Sequence, residues 1–205
     1  TCALPIYRCG IDPEPSTAIP FIADVARLPG LQLKGLLSHA GQAYHASSED
    51  HLREMAAGEA ATLRALAEAA RANGIAIDEL SAGATPTARY SLLQDGLTEY
   101  RPGNYVYFDR TQVGLGAATW EDCALTVLAR VVSKPAPDRI VLDAGSKTLT
   151  SDGARGFAPA AGYGLVVGSG TDASKTTQFL PGLLIERLSE EHATVRATDG
   201  TTPLE

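Results

Sequence analysis

Apolar positions in the first half of the chain recur at two alternating rhythms. Over residues 17–28, Ile22, Val25 and Ala26 fall at helical spacing, and Pro29-Gly30 stops the run. Residues 31–38 are mostly apolar, interrupted by Lys34, and predict a strand. Ser47 with Asp50 three residues on has the form of a capping box. The helix it opens carries Leu52, Met55, Ala56, Leu63, Leu66, Ala67 and Ala70 at spacings of three and four, and Asn73-Gly74 gives it a left-handed stop. Residues 75–81 predict a strand, 87–95 a short helix and 104–108 another strand. Strand and helix alternating in this way predict parallel βα units, which fit part of a barrel or part of an open sheet equally well.

The rhythm changes in the second half. Residues 123–133 and 139–142 are β-rich and flank the turn-forming run Lys134 to Asp138, and further strands are predicted at 163–167, 183–188 and 193–197. No helix of useful length is predicted there. A boundary near residues 110–122 separates an α/β part, residues 1–112, from a mostly antiparallel β part, residues 113–205.

Composition narrows the classes of function. The 205 residues are 44% hydrophobic and 20% charged, enough for a real core in one or two domains. The net charge of −7, with scattered basic residues, argues against nucleic acid or anionic membrane as a partner. No apolar run approaches the ~20 residues of a transmembrane helix, and no signal peptide is visible. Cys2, Cys9 and Cys123 have no CxxC spacing, which predicts free thiols and a reducing, cytoplasmic setting. The only methionine is Met55. Residues 1–6 are either an ordinary lead-in loop or a read artefact, since they back-translate to the end of a common sequencing adaptor.

Four segments could carry chemistry. Arg8, in Arg8-Cys9-Gly10-Ile11-Asp12, is either a surface arginine or a bidentate anion binder. Residues 38–45, Ser-His-Ala-Gly-Gln-Ala-Tyr-His, follow an apolar strand, where ligand sites on parallel βα folds gather. His39 and His45 also admit a metal-ligand reading, but no third ligand accompanies them. Residues 81–87 place small side chains and hydroxyls before a predicted helix, which makes either an N-cap turn or an anion cradle. In residues 99–105, Gly103 permits close backbone approach and Arg101 offers a fixed positive fork.

Taken in order, these segments resemble the D-threonine aldolase/D-serine dehydratase family, relatives of alanine racemase. The matching pieces are RCGIDP (8–13), PGLQLKGLLSHAGQAY (29–44), GATPT (83–87), EYRPGNYVYFD (99–109), VLDAGSKTLTSD (141–152) and LSEEH (188–192), spanning nearly the whole chain. The resemblance implies the second half of a pyridoxal 5'-phosphate-binding (β/α)8-type barrel followed by an incomplete, mostly antiparallel β domain. It implies that Thr85, Gly103 and Asn104 meet the cofactor phosphate. Arg101 is expected to face the pyridine nitrogen, Arg8 the phenolate or a substrate carboxylate, and His39 and Tyr44 to lie along the ring. Gln42 stands where some members have histidine, and an amide cannot serve as a base.

Three departures accompany the likeness. The family's cofactor-carrying lysine lies upstream of all these segments, and Lys34, Lys134, Lys147 and Lys175 do not match it. Its metal site, a His-x-Cys or His-x-Asp pair, lies downstream of residues 188–192. Pro5 also replaces an expected glycine. The chain is therefore expected to be a piece of a lyase acting on D-amino acids with a β-hydroxyl, inactive alone. The intact enzyme is expected to be a homodimer that binds pyridoxal phosphate and a divalent metal, zinc or manganese. The alternatives are an alanine-racemase-like isomerase and a cofactor-carrier protein without turnover.

Overall fold

The structure is a computed structural model that describes residues 9–168 and 178–198. They form two compact units. One comprises the chain up to Val106 with Leu115–Ala117, and the other comprises Tyr107–Gly114 and the chain from Ala118 onward.

The first unit runs α1 (Pro15–Arg27), β1 (Gly35–Leu37), α2 (Glu49–Ala72), β2 (Glu79–Ala82), α3 (Ala88–Ser91) and β3 (Glu99–Tyr100). The strands form a parallel sheet in the order β1-β2-β3. Pro15 opens α1, where a missing N–H costs nothing. The cap of α2 is Ser48 rather than the expected Ser47: its Oγ accepts the His51 N–H at 3.1 Å. Helix α2 turns Leu52, Ala56, Leu63, Leu66, Ala67 and Ala70 inward. Ile22 of α1, Leu36, Leu80 and Ala82 close the core against its C-terminal half. Leu52 and Leu63, at 0% and 1% exposure, each contribute about 1.5–3 kcal/mol by burial.

The strands are shorter than, and shifted from, the expected ones. Pairing starts where the Lys34 carbonyl accepts the Asp78 and Glu79 N–H groups at 3.0 and 3.1 Å, so 31–34 and 75–78 stay outside the sheet. A Cβ on Gly35 would lie 2.0 Å from the Glu79 carbonyl oxygen, so β1 approaches β2 as only glycine allows. The expected strand over 104–108 is not formed. Asn104–Val106 is a 3-10 turn, and the third strand is Glu99–Tyr100. The Arg101 N–H still donates to the Ala82 carbonyl at 2.9 Å. Pro102 follows without an N–H and leads the chain out of the ladder.

The second unit holds β4 (Val131–Ala136), β5 (Arg139–Leu142), β6 (Leu165–Gly168), β7 (Gln178–Leu188) and β8 (Ala193–Ala197), paired antiparallel in the order β4-β5-β8-β7-β6. Ile140, Leu183, Ile185, Ala193 and Val195 form its core. Helix α4 (Arg110–Gly114) is capped by Asp109 Oδ1, which accepts the Thr111 and Gln112 N–H groups. Of the strand expected over 123–133, only the part from Val131 forms, and Leu125 and Leu128 are exposed. Lys134, Pro135 and Ala136 extend β4 instead of turning. Pro135 is tolerated because β4 is an edge strand.

No described helix is long and apolar enough to cross a membrane.

Candidate functional site

The parallel strands of the first unit deliver Ser38, Gly83 and Arg101 side by side, each one residue past its strand. The Ser38 N–H donates to the Ser81 carbonyl at 2.8 Å, continuing the β1–β2 ladder. The Arg101 side chain straps these ends together. Its Nε donates to Ser81 Oγ at 2.7 Å, and an Nη donates to the Ser38 carbonyl. Ser81 Oγ in turn donates to the Glu99 carboxylate, which lies 3.6 Å from Arg101 Nε. A Cβ on Gly83 would sit 3.1 Å from the guanidinium carbon and both Nη atoms, so the bare glycine is what lets the planar group lie close.

One turn further on, Thr85 is 5% exposed, and its Oγ1 accepts the Asn104 N–H at 3.0 Å. That bond joins the loop after β2 to the loop after β3. Helix α3 after the first loop has only four residues, shorter than the helix expected over 87–95. Gly103 is exposed, with open space where a side chain would stand. His39 is exposed immediately beyond Ser38. Tyr44, in the 3-10 turn Gly41–His45, is half-buried against Ala43, Leu52, Ala56 and Tyr90. Gln42 Oε1 is buried without a partner among the described residues.

His39, Tyr44, Thr85, Arg101, Gly103 and Asn104 thus all belong to the first unit, and Thr85, Arg101 and Asn104 are linked to the strand ends by the bonds above. Arg8 lies outside the described residues. Among the described residues no three His, Cys, Asp or Glu side chains gather as a metal site. Lys34 precedes β1 and so stands at the opposite end of that strand from Ser38. Lys134 and Lys147 belong to the second unit, where Lys147 pairs with Glu191 at 2.5 Å, and Lys175 lies outside the described residues.

Two groups at this end of the unit were not singled out from sequence. Tyr90 donates to Glu49 Oε1 at 2.7 Å, with the Arg53 and Arg89 guanidinium groups 5.1 and 4.7 Å from its ring centre. The Tyr90 hydroxyl and Arg53 hold the Glu49 carboxyl below the usual range. The second is Glu59, 3% exposed on the inward face of α2. Burial pushes its carboxyl up, opposed by the Ser38 side chain, Arg101 and the backbone at Ala40 and Gly83. Its sequence signal was available: positions 52, 56, 59, 63, 66 and 70 make a continuous stripe, and a glutamate stands in it.

Comparison with known proteins identifies the family. Residues 5–111 match the family model described as alanine racemase, N-terminal domain, and residues 124–205 match the putative serine dehydratase domain. The chain is 32% identical over 198 residues to D-threo-3-hydroxyaspartate dehydratase of Delftia sp. (strain HT23), covering 95% of this chain and 50% of that protein. It is 31% identical over 199 residues to D-threonine aldolase of Arthrobacter sp., covering 94% and 46%. A solved cysteine-to-alanine variant of D-threo-3-hydroxyaspartate dehydratase, in the metal-free form, superposes with a TM-score of 0.83 at 31% identity, covering 97% of this chain and 52% of that one. The chain therefore spans about half the length of the relatives it matches. On the two domain matches and these relatives together, it belongs to the D-threonine aldolase/D-serine dehydratase-like family of the alanine racemase-like fold.

Proposed function

We propose that this chain supplies the phosphate- and ring-binding part of a pyridoxal phosphate-dependent lyase acting on D-amino acids with a β-hydroxyl, of the D-threonine aldolase or D-serine dehydratase type. The observation that carries the reading is the bond from the Asn104 N–H to Thr85 Oγ1, beside an Arg101 strapped across neighbouring strand ends. Parallel βα folds bind ligands at this end of their strands. The parallel sheet is read as part of a (β/α)8-type barrel, with residues 1–112 as its contribution and 113–205 as an incomplete β domain.

The donor set suits a phosphorylated, aromatic cofactor. Thr85 Oγ1 accepts from Asn104 and so keeps its own proton to give to a phosphate oxygen. Gly103, with open space around it, lets a phosphate approach the backbone. Arg101 cannot give up its proton, so facing a ring nitrogen it donates a hydrogen bond and leaves that nitrogen unprotonated. His39 and Tyr44 follow β1 and would flank the ring, and Arg8 is proposed for the phenolate or the substrate carboxylate. When bound, pyridoxal phosphate supplies an aldehyde for an amine and an electron-withdrawing ring that stabilises negative charge at the substrate Cα. A divalent metal, zinc or manganese, is proposed for the whole protein, consistent with a relative having been solved in a metal-free form. A homodimer is proposed likewise.

The test is a titration of the chain with pyridoxal phosphate, followed by absorbance, and an assay of a chain extended to the length of the relatives with D-serine and D-threonine. Saturable binding that inorganic phosphate competes away, with turnover by the extended protein, is expected. Absence of both overturns the reading.

A further inference from the structure

Helix α2 buries Leu52, Ala56, Ala60, Leu63, Leu66, Ala67 and Ala70, the last four against the strands, and Glu59 is the charged member of that buried set. At 3% exposure, neither of its carboxyl oxygens has a hydrogen-bond partner among the described residues. A carboxyl group so placed costs folding free energy that a leucine at the same position would not. The groups around it are not arbitrary. Helix α2 packs on β1 and β2, and the Ser38 side chain, the Arg101 guanidinium and the backbone at Ala40 and Gly83 each favour the charged form of the Glu59 carboxyl, although none of them completes a normal hydrogen bond to it. These are the residues where β1, β2 and β3 end.

We propose that Glu59 is a positioning residue, which from the helix side sets the spacing of the β1 and β2 ends and the orientation of the Arg101 guanidinium over Gly83. A polar group kept at a cost in the core, beside strand ends that gather polar side chains, is where a local rule is broken for a site. Its effect passes through Arg101, whose strap from the Ser38 carbonyl to Ser81 Oγ leaves the guanidinium little freedom. The consequence for cofactor binding rests on the proposed function, whereas the orientation of Arg101 does not.

The experiment compares the chain with Glu59→Leu, Glu59→Met and Glu59→Gln. The readouts are Tm, hydrogen exchange of the Arg101 Nε–H and the Gly83 amide by NMR, and pyridoxal phosphate titration. The expected result is that Leu or Met leaves Tm unchanged or raises it, while the Arg101 Nε–H exchanges about tenfold faster or more as the strap opens locally. The Gln variant keeps the slow exchange, because an amide preserves the shape of the acid and keeps a polar oxygen toward the strand ends. Affinity for pyridoxal phosphate falls in the Leu and Met variants and is retained in Gln. The proposal is overturned if Leu and Met leave the Arg101 Nε–H exchanging at the parent rate, or if exchange rises uniformly with a lower Tm. Should the parent chain bind no pyridoxal phosphate, the functional reading fails, while the exchange of Arg101 still decides the role of Glu59.

Discussion

The Asn104 N–H donates to Thr85 Oγ1 at 3.0 Å, joining two loops that are 19 residues apart in the chain. Thr85→Val keeps the shape and removes the acceptor. It is expected to cost about 1 kcal/mol of stability through the unsatisfied N–H, and to weaken pyridoxal phosphate binding by more than that factor alone. Thr85→Ser should restore both. Urea unfolding and a cofactor titration on the three proteins are the check.

Gly83 admits the Arg101 guanidinium because it has no Cβ. Gly83→Ala is expected to shift the guanidinium by a few tenths of an ångström, at about 1–3 kcal/mol in stability if the strap resists. Cofactor affinity should fall with it. Arg101→Lys should fall further, since an ammonium cannot bond the Ser38 carbonyl and Ser81 Oγ as a planar fork does. A Gly83→Ala protein with parental stability and affinity would contradict this geometry.

Glu59 gives the stability a pH dependence of defined sign. Burial raises its folded-state value above that of the unfolded chain, so over the interval between them the folded state binds more protons. Its contribution is therefore unfavourable to folding as pH rises: stability falls from the ordinary glutamate range up through the raised value. Glu59→Leu and Glu59→Gln should remove that slope. Denaturation midpoints taken from acid to neutral pH compare the three proteins.

The close approach of β1 and β2 at Gly35 makes a sharp test of the parallel pairing. A Cβ there would meet the Glu79 carbonyl oxygen and carbon at 2.0 and 2.7 Å, backbone atoms that cannot swing aside. Gly35→Ala is expected to destabilise the first unit by about 3 kcal/mol or more. Gly58→Ala, on the exposed face of α2 with nothing near its Cβ position, should stabilise by about 0.5–1 kcal/mol. Thermal melts of the two variants should move in opposite directions.

Borohydride reduction of the chain with pyridoxal phosphate should leave no lysine labelled stoichiometrically. Lys34 lies at the far end of β1 from Ser38, and Lys147 is paired with Glu191. Mass spectrometry of the reduced protein decides this, and full labelling at one lysine would contradict it.

The alternation of helix and strand was legible because α2 has a strong apolar stripe, capped and stopped by recognisable residues. The strand edges were not, because β1 and β3 are short and their limits are set by partners. Lys34 accepts from two amides of a segment over forty residues away, and Tyr105, which favours a strand by composition, follows a proline that has already left the ladder. The site segments were legible as loops after strands, and the pairing of Thr85 with Asn104 was not. Glu59 is hard to single out in the sequence, because a glutamate in a helix rich in charge reads as solvated until its place in the stripe is counted.

Leu115 is fully buried with Ala43, Leu52, Ala56 and Tyr90 in the core of the first unit, although the eight residues before it belong to the second. Any gene truncated at Val106 to express the first unit by itself would encode a protein with a leucine-sized hole beside Tyr44. Such a truncation would be expected to accumulate poorly, and a ligation or split-protein design has to carry residues 107–117 with the first partner, so that the plug arrives on the same polypeptide as the socket.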